Sequence, residues 1–274
     1  MLGERGRTLR VESISKVQER NPQRRLYLLY HELRASQSQY SYVTEAQLFK
    51  RHLDLFSQLR KADSSIFWPE LTFDDGHISN YELAAPILQS REMAAQFFIT
   101  VGWTGTKSGY MGWTELRALQ RAGFSIGAHG WTHTLLTHCS DDELQIELEK
   151  ARLTLEDKLG ISITTMSLPG GRFNRRVLAA CAQAGYAQIY TSAPRVESLP
   201  LGTMIGRLNI LGSMQPEWIA KLFQPDSSVL ASLGRKHRMK EAAKSLLGDR
   251  FYEKLWALVN RQEPEGDGVE RGAE

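Results

Sequence analysis

Cysteine is nearly absent from this chain: Cys139 and Cys181 are the 2 in 274 residues. Two thiols so spaced supply neither a disulfide framework nor a thiolate metal site, and both are expected as small, partly buried side chains in a reducing compartment. Long apolar runs are missing too. No stretch reaches the roughly 18 consecutive apolar residues of a membrane-spanning helix. Strong charge of one sign is the third absence. The 34 basic and 31 acidic side chains leave a formal net charge of +3, too little for a nucleic-acid binder. Residues 1–25 are polar and arginine-rich, with no apolar core of signal-peptide length. They read as a poorly ordered leader, and the cytoplasm is the expected compartment.

What is present is an ordinary globular composition, 42% hydrophobic and 24% charged. The run Leu26-Tyr27-Leu28-Leu29-Tyr30 reads as a buried strand ending at His31. Thr44 with Gln47 has the spacing of a capping box ahead of the apolar stripe Phe49, Leu53, Phe56. A strand then reaches Leu71-Thr72-Phe73 and runs into Asp74-Asp75-Gly76. The alternation repeats: a helix capped by Ser79 with Glu82, a strand over 94–100, a helix from Thr114, a strand over 124–128 ending at His129. Ser140 with Glu143 opens another helix, which Gly160 terminates. Strand 163–168, helix 175–184 and strand 186–191 follow. Strands alternating with helices imply parallel pairing, in a barrel or a doubly wound sheet. From Pro216 the pattern is helical only, with basic stretches such as Arg235-Lys236-His237-Arg238.

The chemistry-bearing residues share one location. His31, Asp74-Asp75, His129 and the turn Pro169-Gly170-Gly171 all fall where an expected strand hands over to a loop. In parallel α/β folds the carboxyl ends of strands converge on one face, where sites are built. Adjacent aspartates leaving a strand point in different directions, so one can hold a metal while the other faces a substrate; taken alone, Asp-Asp-Gly is more often a solvated turn. His129 and His133 lie four apart, and two imidazoles with a carboxylate leave an open position on zinc or a similar ion. His138 is read as exposed rather than as a ligand.

These stretches carry a resemblance. Leu71-Thr72-Phe73-Asp74-Asp75-Gly76, Ile126-Gly127-Ala128-His129-Gly130-Trp131-Thr132-His133 and Ser167-Leu168-Pro169-Gly170-Gly171 resemble three motifs of the polysaccharide deacetylase family (carbohydrate esterase family four). The resemblance covers about residues 26–212. It implies an α/β fold, a distorted (β/α) barrel with fewer than eight strands, here with a C-terminal helical extension. The expected organisation is a leader at 1–25, the barrel at 26–212, helices at 213–262 and a disordered tail at 263–274. It also implies that Asp74 is the general base and that Asp75, His129 and His133 hold a divalent metal, Zn2+ first and Co2+ or Ni2+ next. Gly170 and Gly171 would approach the oxyanion, and His77 would line the pocket.

Two departures stand out. The arginine that steadies the base in the family's third motif is replaced by Ser167, and the late motif with an acid histidine has no counterpart. Leu29-Tyr30-His31 instead is similar to the first strand of biofilm poly-N-acetylglucosamine deacetylases, which makes His31 the candidate general acid. The implied activity is hydrolysis of N-acetyl groups on an amino-sugar glycan or its precursor, as in exopolysaccharide assembly. Alternatives are a deformylase or amidohydrolase on a lipid-linked sugar or small amide, and an inactive carbohydrate-binding homologue. Trp103, Trp113 and Trp131 are candidates for stacking on a sugar or for core packing. A last helix near 249–260 packs on the barrel or touches a membrane surface. No nucleic-acid partner is expected.

Overall fold

The computed structural model describes residues 24–61, 67–224 and 227–247. In chain order, β1 (Arg24–Tyr30), β2 (Glu32–Arg34) and β3 (Val43–Glu45) lead into α1 (Ala46–Lys61) and β4 (Trp68–Phe73). Next come α2 (Ala85–Gln89), β5 (Gln96–Ile99), α3 (Trp113–Arg121) and β6 (Ser125–Ala128). The helices α4 (Asp141–Gln145) and α5 (Ala151–Leu159) are joined by a π turn at Ile146–Lys150 and precede β7 (Thr165–Ser167). After α6 (Arg175–Gln183) and β8 (Gln188–Tyr190) come the short β9 (Glu197–Ser198), β10 (Met204–Ile205) and β11 (Arg207–Asn209). Helices α7 (Pro216–Ala220) and α8 (Val229–Leu247) end the described chain. The expected helix near 249–260, the disordered tail and nearly all of the leader lie outside the described residues.

The main sheet runs β10-β8-β7-β6-β5-β4-β1-β11, with β9 attached to β1. All pairs along that path are parallel. Its two ends, β10 and β11, are separated by Gly206 alone, so the edges lie side by side and the sheet curls into a barrel. Counting β10 and β11 as one stave, the 8 strands on the path make a distorted barrel of fewer than eight, as expected. Gly206 is required at this seam, because a Cβ there would collide with the Ala193 carbonyl oxygen.

Side-chain alternation along the strands separates two apolar layers. Leu26, Leu28 and Tyr30 of β1 join the large core between barrel and helices, to which α1 adds Phe49, Leu53 and Phe56. Each such buried side chain contributes about 1.5–3 kcal/mol. Tyr27 instead joins Phe98, Tyr190 and Ile205 in a small separate cluster at the barrel axis. Both cysteines are buried free thiols. Among the described residues no helix is long and apolar enough to cross a membrane.

Of the expected capping boxes, the one at Ser140 forms: Glu143 N–H donates to Ser140 Oγ at 3.3 Å and Ser140 N–H to Glu143 Oε2 at 2.7 Å. The other two do not. Thr44 lies within β3, paired with Leu33, and α1 starts beyond it. Ser79 Oγ accepts from Leu33 N–H at 2.9 Å and contacts His77 Nδ1 at 2.8 Å. Tertiary partners took both residues away from helix capping.

One buried polar link tests the packing. His52 on α1 is fully buried; its Nε2–H donates to Met214 O at 2.8 Å and Tyr30 O–H donates to its Nδ1 at 3.1 Å. Burial pushes the His52 pKa from 6.5 to about 4, against the opposing pull of the Met214 carbonyl. The folded pKa is therefore below the unfolded one, and the unfolded chain binds the extra proton first. Stability falls as pH drops from 6.5 toward 4, by about 3 kcal/mol at 1.36 kcal/mol per unit. Urea unfolding across that range should show this slope reduced in His52→Leu; equal slopes for the two proteins would refute it.

Candidate active site

β4 ends at Phe73, and Asp74 turns into the barrel, where it is buried. Arg207, fully buried on β11, grips it with both arms: Nη1 donates to Oδ1 at 2.7 Å and Nη2 to Oδ2 at 2.8 Å. Ser167 Oγ donates to Oδ2 at 2.8 Å and accepts from Arg207 Nη2 at 2.7 Å. The guanidinium also reaches Thr191 O at 3.3 Å and lies over the Phe98 and Tyr190 rings. Burial opposes ionisation of Asp74, but the Arg207 charge and hydrogen bonds, together with the charges of His129 and His31, overcome it and hold the carboxyl below its ordinary range.

Asp75 points elsewhere. Its Oδ1 is buried without a hydrogen-bond partner and stands 3.3 Å from both His129 Nε2 and His133 Nε2. His129 Nδ1–H donates to Ser167 O at 2.8 Å, which leaves the Nε2 lone pair facing Asp75. One ligand atom from each of Asp75, His129 and His133 falls within 4.8 Å of the others. Asp75 (φ 73°) and His133 (φ 65°) are two of the three described non-glycine residues with positive φ. Such backbone persists only where surrounding structure enforces it, often at functional sites. Burial, followed by the charge of His129, lowers the His133 pKa to about 4, so its imidazole is neutral at pH 7. Burial works against the charge of His129 as well, but Asp74 and Asp75 prevail and raise its pKa. Burial also opposes ionisation of Asp75, and its contacts with His129, His31 and His133 overcome this, so it stays a carboxylate. An unpartnered buried carboxylate oxygen facing two imidazole nitrogens fits a divalent cation.

These groups open into a cleft of about 520 Å³. His31, His77, Gly170 and Gly171 line it, and so do Tyr40, Tyr42 and Tyr110. His31 Nδ1 is buried without a partner; burial, partly offset by Asp75 and Asp74, lowers its pKa. His77 Nδ1 accepts from Ser79 N–H at 3.2 Å. Gly171 N–H already donates to Leu168 O at 2.8 Å, which leaves the Gly170 side of the turn for a substrate oxygen. None of the three candidate tryptophans lines the cleft. Trp103 lies behind His133 with ring centroids 5.5 Å apart, while Trp113 and Trp131 pack against the core. Of the two readings of these tryptophans, core packing holds for Trp113 and Trp131, and the aromatic rings lining the cleft are tyrosines. His138 is exposed and away from the cleft.

Residues 68–189, which span both aspartates, both histidines and the Ser167 turn, match the model of the polysaccharide deacetylase family. They form a polysaccharide deacetylase domain. YxkH of Bacillus subtilis, a polysaccharide deacetylase by name only, is 28% identical over 132 residues, which are 48% of this chain and 47% of that one. Chitin deacetylase 1 of Cryptococcus neoformans var. grubii is 30% identical over 119 residues, 43% of this chain and 24% of that one. The chain thus spans about half or less of the length of these relatives. The Streptococcus pyogenes deacetylase PplD, solved in complex with acetate, superposes with a TM-score of 0.66 at 21% identity, covering 74% of this chain and all of that one. At that identity the likeness shows a shared fold.

Sequence reasoning missed Arg207, which belongs to the candidate site although it lies beyond the matched segment. Its one sequence signal is a charged residue inside the apolar run Ile205-Gly206-Arg207-Leu208-Asn209-Ile210. The guanidinium absent at Ser167 reaches the same carboxylate from another strand.

Proposed function

We propose that this chain hydrolyses N-acetyl groups on an amino-sugar glycan or glycan precursor, with a divalent metal, zinc first, held by Asp75, His129 and His133. The observation that carries this reading is the pairing of two differently dressed aspartates. Asp74 accepts three hydrogen bonds from Arg207 and Ser167, whereas Asp75 keeps a bare oxygen toward two imidazoles. A bound divalent cation supplies Lewis acidity for an amide carbonyl and lowers the pKa of water. Asp74 takes the proton of the attacking water at a carboxylate oxygen, and Arg207 fixes the orientation of that carboxylate. His31, in its imidazolium form, gives a proton to the departing amine and is left as the neutral imidazole that its burial favours. The backbone around Gly170 approaches the developing oxyanion, and Tyr40, Tyr42 and Tyr110 offer ring faces to the sugar.

The acetamido-sugar substrate is supported by the name of the chitin deacetylase relative and by the acetate complex of PplD. His31 at the end of β1 favours a biofilm-type glycan. Reading the chain as an inactive carbohydrate-binding homologue drew on the arginine missing at Ser167 and on the absent late motif; Arg207 offers a guanidinium for the first of these.

Elemental analysis after zinc incubation should find close to one metal per chain, lost in a His129→Ala, His133→Ala variant. The loaded protein should release acetate from N-acetylglucosamine oligomers faster than from small amides. No metal after incubation with zinc, cobalt or nickel would overturn the metal-dependent reading; metal with turnover of small amides alone would overturn the substrate.

A further inference from the structure

We infer that Glu147 is a positioning residue that sets the spacing of the His129 and His133 imidazoles for metal binding. The inference rests on the metal site proposed above. Glu147 is a carboxylate with 3% exposure, on neither β4 nor β6, and no motif of the sequence singled it out. It sits on the π turn Ile146–Lys150 between α4 and α5, and the extra residue of such a turn re-aims a side chain. Here it is aimed at the loop between the two histidines. Trp131 N–H donates to Oε2 at 2.8 Å, and Thr132 N–H is shared between Oε2 at 3.0 Å and Oε1 at 3.1 Å. Thr132 Oγ donates to Oε1 at 2.5 Å. Both backbone N–H groups of the Trp131-Thr132 pair and the Thr132 hydroxyl therefore end on one side chain.

The loop needs such a clamp. Gly130 (φ 80°) and His133 (φ 65°) both hold left-handed backbone, and a Cβ on Gly130 would stand 2.7 Å from Glu147 Oε2. The carboxylate fills the inside of the turn, and the turn winds round it. The same π turn grips the loop a second time, with Lys150 Nζ 4.0 Å from the centroid of the Trp131 ring. From the opposite side Val101 N–H donates to Gly130 O at 3.0 Å and Gly102 N–H to Trp131 O at 2.8 Å. Released from Glu147, the loop keeps the Val101 and Gly102 bonds and the Lys150 contact, none of which reaches Thr132, and His133, the more exposed imidazole, loses its direction toward Asp75. Groups that orient metal ligands without touching the metal typically govern 10–100-fold in affinity.

The test is zinc affinity of the full chain, by competition with a chromogenic chelator, in wild type and Glu147→Gln at one pH. Glutamine keeps the shape but turns an NH2 group toward donors that need an acceptor. The expected result is a zinc Kd raised 10–100-fold in a protein whose metal-free circular dichroism is unchanged. Deacetylation at saturating substrate should recover as zinc is raised, which a merely structural defect would not do. Should Glu147→Gln fail to fold, Thr132→Val removes one donor and leaves the two backbone bonds, and a Kd raised about 2–10-fold supports the same role. A folded Glu147→Gln protein with wild-type zinc affinity, or a Thr132→Val protein with no change, would overturn the inference. Absence of zinc binding in the wild type would overturn the metal site itself.

Discussion

Arg207→Met is expected to lose about 3–5 kcal/mol of folding stability, the usual consequence of leaving one member of a buried ion pair alone. In the native protein Arg207 is the largest of the influences that keep Asp74 ionised in spite of burial, ahead of His129 and His31. The sign follows from that. A carboxyl with a depressed folded pKa contributes stability at pH values above its ordinary 3.8 and loses it as pH falls. With Arg207 gone the largest influence opposing burial is lost, only His129 and His31 still favour the charged form, and the Asp74 pKa rises. The acid limb of the kcat/KM profile should therefore move upward in pH as the base titrates later. Arg207→Lys keeps the charge but not the two-armed grip on the carboxylate, and should lie between the two in stability and in pH profile. Urea unfolding and pH–rate curves for all three proteins check this. An Arg207→Met protein with wild-type stability and an unmoved acid limb would show that Asp74 does not depend on Arg207.

Asp74→Asn should lower kcat/KM by about 10²–10⁴, the range supplied by a positioned general base, while bound zinc stays near one per chain. Asp74 faces Arg207 and Ser167 rather than the imidazole pair: its Oδ2 is 3.8 Å from His129 Nε2, against 3.3 Å for Asp75 Oδ1. Asp75→Asn should do the reverse and lose the metal first. The adjacent residues are thereby separated by elemental analysis run beside acetate release. Retention of more than about a tenth of activity by Asp74→Asn, below the usual effect of a general base, would remove it from that role. Loss of zinc in that variant would mean that the two aspartates share the metal.

Much of the site could be read from the sequence, because its parts obey local rules. A strand ending in Asp74-Asp75 and another ending in His129 place their polar groups at carboxyl ends, and parallel strands bring those ends to one face. Four-residue spacing carries His133 back toward His129 across a single turn. Strand and helix periodicity supplied the alternation of elements for the same reason: burial on one face leaves a period in the sequence. Pattern served less well where a residue had two possible partners. Thr44 and Ser79 carry the spacing of helix caps, yet a strand pairing and a histidine claimed them.

Tertiary structure alone decided three things. The short strands β10 and β11 carry too few residues for any period, and they become visible only as the stave that closes the barrel across Gly206. Arg207 lies 133 residues from Asp74 in the chain, and no spacing rule spans that distance. Its role exists because barrel closure brings β11 beside β1 and turns its side chain to the axis. Glu147 has the helical sequence context of a solvated acid; only the π turn directs it into the histidine loop. The sequence by itself located the candidate groups for the chemistry, because those sit where strands end. The groups that hold them in place come from remote strands and helices, and packing alone decides which remote residues meet.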